Sequence, residues 1–498
     1  MFVHKCKLFK NSKFNIHPNT LFKLTTKKAI KEYFETTASR RLIWKKRNSF
    51  YHKSLEKYFS FSIPEGSRVL EVGCGTGELL AAVKPAYGVG IDFSPTMIKI
   101  AAARYPSLNF RIQDIEDEYI NETIAQSAEQ FDYIILSDLL HLLWDVQKSL
   151  SHIRKFCHPS TRIIISNYNF LWEPVLKFGE RIGLKQRSFN SNWLSYKDIV
   201  NLLELEGFKV ITATQKLLIP KYIPLLNLIF NKILVNLPII NDLGLVTIMT
   251  ARIENYERND YTVSIIIPAQ NEMGNIKNAI LRTPSFGISQ EFIFVEGRSS
   301  DGTYEEMLRV RSEFPDINIQ VLKQSGKGKG DAVRAGFDAS TGAILMILDA
   351  DLTTPAEDLP KFYDAIANGK GEFINGCRLV YPMEKQAMRF LNLLANKFFG
   401  LFFSYLLGQR LKDTLCGTKV LFKKDYEKIK ANRAYFGNFD PFGDFDLLFG
   451  AAKLNLNMVE VLVRYKDRQY GSTQISRFKH GLILLRMSLF GAKKLKFK

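Results

Sequence analysis

Short apolar runs alternate along this chain with glycine-containing turns and with stretches of helical spacing, and the alternation occurs twice. Val69-Leu70-Glu71-Val72 reads as a short buried strand and Tyr87 to Ile91, Asn109 to Ile112 and Phe131 to Leu136 as three further strands, with Glu78-Leu79-Leu80-Ala81-Ala82 opening a helix after the first. A polar junction, Glu257-Arg258-Asn259-Asp260, then precedes a new set of strands, Val263 to Pro268, Glu291 to Val295 and Ala343 to Leu348. Strand, loop and helix in repetition predict two doubly wound α/β domains. The expected division is a basic extension over 1–45, a first domain over 46–255 and a second over 256–498. Between them, residues 190–255 hold Asn192-Trp193-Leu194 and a leucine- and proline-rich run, Leu217 to Leu245, expected to cap the first domain.

A chain of 498 residues exceeds what one core normally supports, and hydrophobic residues at 46% with charged residues at 24% fit a globular class. Cys6, Cys74, Cys157, Cys377 and Cys416 are scattered without a CxxC pair, so neither a disulfide framework nor a zinc site is predicted. The start, MFVHKCKLFKNSKF, lacks a signal-peptide apolar core, and a cytoplasmic location is expected. The net charge of +19 sits at the two ends: residues 1–55 carry +12 and residues 464–498 carry +9, leaving about −2 between them. Those ends are either solvated or drawn to an anionic surface. Leu217 to Phe230 is broken by Pro220, Lys221 and Pro224, and Phe398 to Gly408 is too short to span a bilayer, which leaves peripheral attachment.

Glu71-x-Gly73-x-Gly75-x-Gly77 follows the first strand, where glycine lets backbone approach a ligand. Asp92 ends the second strand at the same sheet edge and suits a ribose diol; Asp114 closes the third. Taken together these motifs resemble class I S-adenosylmethionine-dependent methyltransferases over roughly residues 46–255, which implies a Rossmann-like sheet. The resemblance implies cofactor contacts at Glu71, Gly73, Gly75, Gly77, Asp92 and Asp114, with Asp114 toward the adenine. Ser137-Asp138-Leu139-Leu140-His141 is unlike the Asn-Pro-Pro-Tyr signature of enzymes acting on base nitrogens, so no nucleic-acid partner is expected. His141 lies in an apolar run and reads as a packing residue before a general base.

In the second half, Asp349-Ala350-Asp351 stands at the mouth of an apolar strand, which is how a hard divalent cation is presented to phosphate oxygens. The series Pro268-Ala269-Gln270-Asn271-Glu272, Glu296 to Thr303, Asp349-Ala350-Asp351-Leu352, Gly376-Cys377-Arg378, Asp413 to Lys419, and Glu460 to Val463 with Arg468 and Gly471-Ser472, resembles family 2 glycosyltransferases of the GT-A fold. Within that family it is most similar to the branch that glycosylates polyprenyl phosphates, such as the dolichol-phosphate mannosyltransferases, over residues 261–475. The resemblance implies a nucleotide-sugar donor held by Pro268, Ala269, Glu272, Glu296, Lys329 and Asp349, and Mg²⁺ or Mn²⁺ held by Asp349 and Asp351. It also implies inversion, with a base among Asp440, Asp444 and Asp446 for a hydroxyl acceptor and Asp444 the candidate, or with no base for a phosphate. Ala269 and Glu296 depart from the family's Tyr and Asp. Arg378, Arg464 and Arg468 are the candidates for holding an acceptor phosphate.

The expected function is a bifunctional enzyme: metal-dependent transfer of a sugar to a lipid-linked phosphate or surface-glycan precursor, with methylation of a related acceptor. Residues Ala387 to Leu407, greasy and flanked by Lys397, Arg410 and Lys412, join the basic C-terminus in predicting contact with the inner face of a membrane. Two rivals stand beside it: a methyltransferase-like half that only binds cofactor or partner, and a nucleic-acid methyltransferase steered by the basic ends. Oligomeric state is not legible.

Overall fold

A computed structural model describes residues 27–117, 130–186, 192–254, 257–380, 390–436, 443–466, 468, 470 and 477–497. Two seven-stranded sheets organise them. The first contains β1 (Arg68–Val72), β2 (Tyr87–Asp92), β3 (Asn109–Ile112), β4 (Tyr133–Ser137), β5 (Arg162–Tyr168), β6 (Phe208–Lys216) and β7 (Val246–Ile253), in the order β3-β2-β1-β4-β5-β7-β6. The first five strands run parallel, and β7 enters antiparallel between β5 and β6. Parallel strands covered on both faces lose polar alternation, which is why Val69 to Val72 and Ile134 to Leu136 are wholly buried.

The second sheet contains β8 (Thr262–Ala269), β9 (Ser289–Glu296), β10 (Asn318–Lys323), β11 (Ile344–Ile347), β12 (Phe373–Cys377), β13 (Lys419–Phe422) and β14 (Met458–Leu462), in the order β10-β9-β8-β11-β13-β12-β14. Here β13 is the antiparallel strand, between β11 and β12. Each sheet therefore winds outward from its first strand in one direction and then reverses, between β1 and β4 and between β8 and β11. At such a reversal the connections leave toward opposite faces, and a crevice opens beyond the carboxyl ends of the two central strands.

Two sequence expectations change. Residues 190–255 are not an addition to a finished core: β6 and β7 complete the first sheet, and only the excursion from Leu217 to Leu245 stands outside it. The reading missed β6 because its sequence, FKVITATQK, carries the polar residues of an edge strand. Nor is residue 45 a boundary. The helix Lys27–Arg47 runs across it and packs against the helices Ser49–Ser62 and Pro95–Arg104, with Ala38 fully buried. The apolar stretch after residue 390 forms the helix Phe390–Leu407, whose Phe399, Phe403, Leu406 and Leu407 enter the second core while Phe398 and Leu401 stay exposed. Among the described residues no helix is long and apolar enough to cross a membrane.

The two sheets meet at a buried charge cluster. Arg162, at the start of β5, places Nη2 2.6 Å from Glu372 Oε2, and its Nε donates to the Asn455 carbonyl at 2.9 Å. Arg252 on β7 brings Nη1 to 3.3 Å of the same carboxylate, and the Asn457 N–H donates to it at 2.9 Å. Burial alone would raise the Glu372 carboxyl, and the two guanidinium groups more than reverse it. Removing one member of such a cluster strands the others. Glu372→Ala is expected to cost about 3–5 kcal/mol in urea unfolding, against less than about 0.5 kcal/mol for alanine at an exposed, unpaired position.

Candidate functional sites at the two strand-order reversals

At the first reversal the turn after β1 adopts positive φ at Gly73 (72°), Gly75 (54°) and Gly77 (80°), a conformation that disfavours any side chain. A Cβ on Gly73 would also strike Leu139 at 2.7 Å, whereas one on Gly75 would meet only Arg41, 3.6 Å away. The Gly75 N–H donates to Asp92 Oδ2 at 2.9 Å and the Ser94 N–H to Oδ1 at 3.0 Å, so the acid at the end of β2 is locked against the glycine turn. Burial nevertheless pushes the Asp92 carboxyl up. Gly73, Gly75, Asp92, Asp114 and Asp138 line one cavity, closed on its outer side by Lys27, Lys31, Phe34 and Arg41 of the N-terminal helix. Lys27 and Lys31 lie 2.9 and 2.8 Å from Asp114 Oδ2. Close-approach backbone with carboxylates on either side suits a nucleoside carrying a diol and an amino group.

Asp138, at the end of β4, divides this cavity from a second. Tyr51 donates to its Oδ2 at 2.8 Å and Ser166 to its Oδ1 at 3.0 Å. Beyond it, Arg41, Trp44, His141, Tyr168 and Lys185 wall a further cavity. His141 is buried against Tyr168, with ring centroids 5.3 Å apart, and burial pulls its pKa down to about 3, so it is neutral at pH 7. Its Nδ1 is sealed from water beside Asn167 without a well-formed hydrogen bond, and Arg41 Nε is in the same condition. Buried polar atoms left without partners mark a site rather than a packed core.

At the second reversal, Asp349 and Asp351 follow β11 and each faces a cation. Lys329 Nζ, from the first turn of the helix Lys329–Ala339, lies 2.5 Å from Asp349 Oδ1. Arg468 bridges two acids, with Nη2 2.7 Å from Asp351 Oδ2 and Nη1 2.5 Å from Glu272 Oε1. Burial opposes ionisation of Asp349, but Lys329 overrides it and holds the carboxyl below its ordinary value. Asp444 differs: burial raises it, Lys419 and Lys329 only moderate the rise, and its Oδ1 is buried without a hydrogen bond. Gly417 is packed so closely on Asp349 and Lys329 that any side chain would collide with both. Asp349 and Asp351 offer hard oxygens to a divalent ion. Among the described residues no group of three or more His, Cys, Asp or Glu is gathered, so the rest of such an ion's shell would come from substrate phosphates and water.

Comparison with known proteins separates the halves in the same way. Residues 43–213 match the family model described as a methyltransferase domain, and residues 264–430 match glycosyl transferase family 2. The chain carries both domains. A dolichol-phosphate mannosyltransferase of Pyrococcus furiosus is 34% identical over 137 residues, 27% of this chain and 38% of that protein. Glycosyltransferase AglJ of Haloferax volcanii is 28% identical over 224 residues, 45% of this chain and 69% of its own length. An undecaprenyl-phosphate 4-deoxy-4-formamido-L-arabinose transferase of Salmonella paratyphi B is 33% identical over 103 residues, 20% of this chain. The chain thus spans about a third of the length of the first and third of these relatives. Among solved structures, a methyltransferase of Thermotoga maritima described as a possible histamine N-methyltransferase has a TM-score of 0.35 at 16% identity, covering 45% of this chain and 99% of its own. Glucosyl-3-phosphoglycerate synthase of Mycobacterium tuberculosis has the same score and identity, covering 47% of this chain and 80% of its own.

In the methyltransferase domain, Gly73, Gly75, Asp92 and Asp114 line one cavity. Gly77 instead caps the next helix against Phe110, and Glu71 turns into an adjoining cavity, where the Leu80 N–H donates to its Oε2 at 3.0 Å. The sequence reading missed Lys27, Phe34 and Arg41. Their signal was present in the spacing Ile30, Phe34, Ala38 and Arg41, one stripe of a helix, but the density of charge around it read as a tail.

In the glycosyl transferase domain, Lys329 pairs with Asp349, Arg468 bridges Asp351 and Glu272, and Asp444 stands 3.8 Å from Lys419, while Ala269 pairs in register with Glu296 at the ends of β8 and β9, beyond Pro268. Glu296 accepts from the Ser299 N–H. Arg378 is committed elsewhere, its Nε and Nη2 bonding Asp413 at 2.7 and 2.9 Å, while Arg464 is exposed. Asp440, Gly471 and Ser472 lie outside the described residues.

Glu71 yields a test of the first site. Burial lifts it from 4.5 to about 8, with Lys45 the chief opposing charge. The folded state therefore keeps a proton that the unfolded chain releases above about pH 4.5, and stability falls as pH rises toward about 8. Glu71→Gln fixes the neutral form and preserves an acceptor for Leu80. Thermal melts should show the variant flatter across that window and more stable than the parent at about pH 8.5.

Proposed function

We propose that the C-terminal half transfers a sugar, with inversion, from a nucleotide-diphosphate sugar to a polyprenyl phosphate or surface-glycan precursor, and that the N-terminal half methylates a related acceptor with S-adenosylmethionine. The domains would divide near residues 255–260, with the N-terminal helix belonging to the first. The observation that carries the reading is the pair of cation-matched carboxylates, Asp349 with Lys329 and Asp351 with Arg468, at the carboxyl edge where β8 and β11 diverge. Negative charge accumulates on a departing nucleoside diphosphate, and a site catalyses its departure by placing positive charge there in advance.

A divalent ion held by Asp349 and Asp351 would neutralise that diphosphate. Lys329 supplies a fixed cation beside the same oxygens, and Glu272 restrains Arg468 at the entrance. Donor contacts from Pro268, Ala269 and Glu296 complete the expectation. An acceptor phosphate is already ionised near neutral pH and needs positioning by Arg468 or Arg464 more than a base. A hydroxyl acceptor would call on Asp444 as the general base: burial raises its carboxyl above the ordinary value, and its Oδ1 makes no hydrogen bond, with Lys419 3.8 Å away.

In the other half, Asp92 would take the ribose diol and Asp114 the adenine amine, once Lys27 and Lys31 release it. Held by Asp92 and the turn of Gly73 and Gly75, S-adenosylmethionine would supply the methyl group and keep the C–S electron pair as a neutral thioether, while the acceptor would supply the bonding pair and shed its proton to solvent. The cavity beyond Asp138 adjoins this position and is the place for the acceptor. Residence is proposed on the cytoplasmic face of a membrane, as a peripheral protein. A second reading, in which this half binds without catalysis, is favoured by one observation: both lysines already occupy Asp114.

Incubation with a panel of nucleotide sugars, Mn²⁺ and a polyprenyl phosphate should release nucleoside diphosphate. Asp351→Ala or chelation by EDTA should lower that release by at least about a hundredfold, and unchanged turnover would remove the metal assignment. Calorimetry with S-adenosylmethionine should give heat that Asp92→Ala abolishes. Binding by the parent without methyl transfer to any glycan precursor would select the second reading.

A further inference from the structure

The segment that follows β5 and the excursion between β6 and β7 are both rooted in the core on one face of the first sheet and leave their outer sides bare. Leu217, Leu245 and Val246 are buried in that core, with Trp172 and Leu176 packed against it. Trp172 Nε1 donates to the Leu243 carbonyl at 2.8 Å, and Asn169 Nδ2 to the Asp242 and Gly244 carbonyls at 2.8 and 2.9 Å, so the two segments are tied at their bases. Their outward residues are apolar. Phe178 is 60% exposed, Leu225 74% and Ile239 85%, with Leu171, Val175 and Tyr222 beside them in sequence and likewise exposed. A soluble monomer rarely presents so many large apolar side chains on adjoining segments.

The charge around this face is basic. Residues 170–185 and 217–243 each carry one more Lys or Arg than acids, and the exposed Lys46 and Arg47 add two cations where the helix Lys27–Arg47 ends. That helix ends on Lys45, Lys46 and Arg47 next to the excursion, where Lys221 Nζ donates to the Arg47 carbonyl at 3.0 Å and to Asn48 Oδ1 at 2.7 Å. Apolar side chains set among cations match the boundary between acyl chains and anionic headgroups.

We infer that the face formed by residues 170–184 and 222–243 docks the methyltransferase half onto an anionic lipid surface. Lys185 and Asn48, which adjoin the face, also line the cavity beyond Asp138, so docking brings that cavity to the bilayer, where a lipid-linked acceptor resides. This delivery rests on the lipid-linked reading of the acceptor given above; the docking itself does not, because vesicles without acceptor test it alone. It also differs from the sequence expectation, which placed membrane contact on the helix Phe390–Leu407 and the basic C-terminus.

The full chain should sediment with phosphatidylcholine vesicles containing phosphatidylglycerol at least tenfold more tightly than with pure phosphatidylcholine. Phe178→Glu combined with Leu225→Glu should weaken that binding at least tenfold, with the heat of S-adenosylmethionine binding unchanged as the sign of an intact fold. Phe398→Glu with Leu401→Glu should leave vesicle binding within about twofold of the parent. The inference is overturned if the parent stays in the supernatant, or if the Phe178/Leu225 variant binds as the parent does. It is also overturned if sedimentation velocity shows a dimer that this variant makes monomeric without affecting vesicles, since the face would then join two copies of the chain. Loss of nucleoside diphosphate release in the Asp351 variant bears only on the catalytic reading.

Discussion

The reversal of strand order in each sheet is the constraint on which the rest depends. Once β1 sends its connection to one face and β4 to the other, no helix can cover the carboxyl ends of both, and the gap must be lined by whatever the following turns supply. Both halves answer with acids: Asp92 and Asp138 in one, Asp349 and Asp351 in the other. An acid in such a gap is partly desolvated and must be compensated. The first sheet uses backbone N–H groups from Gly75 and Ser94 and hydroxyls from Tyr51 and Ser166. The second uses the side chains of Lys329 and Arg468. Neutral donors compensate the first pair of acids without adding charge, and the second pair is compensated by full positive charges held in place beside them.

Much of this was legible in the chain, and the boundary of legibility follows from range. Strands β1, β2, β4, β8, β9 and β11 stood out because buried parallel strands are short, continuous apolar runs, and β3, an exposed edge strand, by its place in the repeat. The glycine turn and the Asp349-Ala350-Asp351 motif are local, so their chemistry could be read without knowing what packs on them. The pairing of Asp351 with Arg468 spans 117 positions, and that of Arg378 with Asp413 spans 35. No spacing rule reveals either, so Arg378 read as a free phosphate ligand when its guanidinium bonds a buried acid. The helix Lys27–Arg47 was hidden for another reason: its apolar stripe is narrow, and its cations looked like a solvated tail although Lys27 and Lys31 turn inward to Asp114.

The same long-range limit hid the contact between the sheets. Arg162 opens β5 and Arg252 is the next-to-last residue of β7, in runs that otherwise read as largely apolar, and Glu372 precedes another such strand. Each looks like an isolated fault in a hydrophobic pattern. Together they form a buried cluster in which two guanidinium groups hold one carboxylate, with the backbone of residues 455 and 457 supplying the remaining bonds.

That cluster bears on how a fusion of this kind can change with time. An apolar seam tolerates gradual repacking, one methyl group at a step. A buried charge cluster does not, because replacing one partner leaves an unmatched ion while replacing all of them together is close to neutral. The joint between the two sheets is therefore a ratchet: single substitutions are driven back, and the relative placement of two otherwise separate catalytic scaffolds is inherited as a unit.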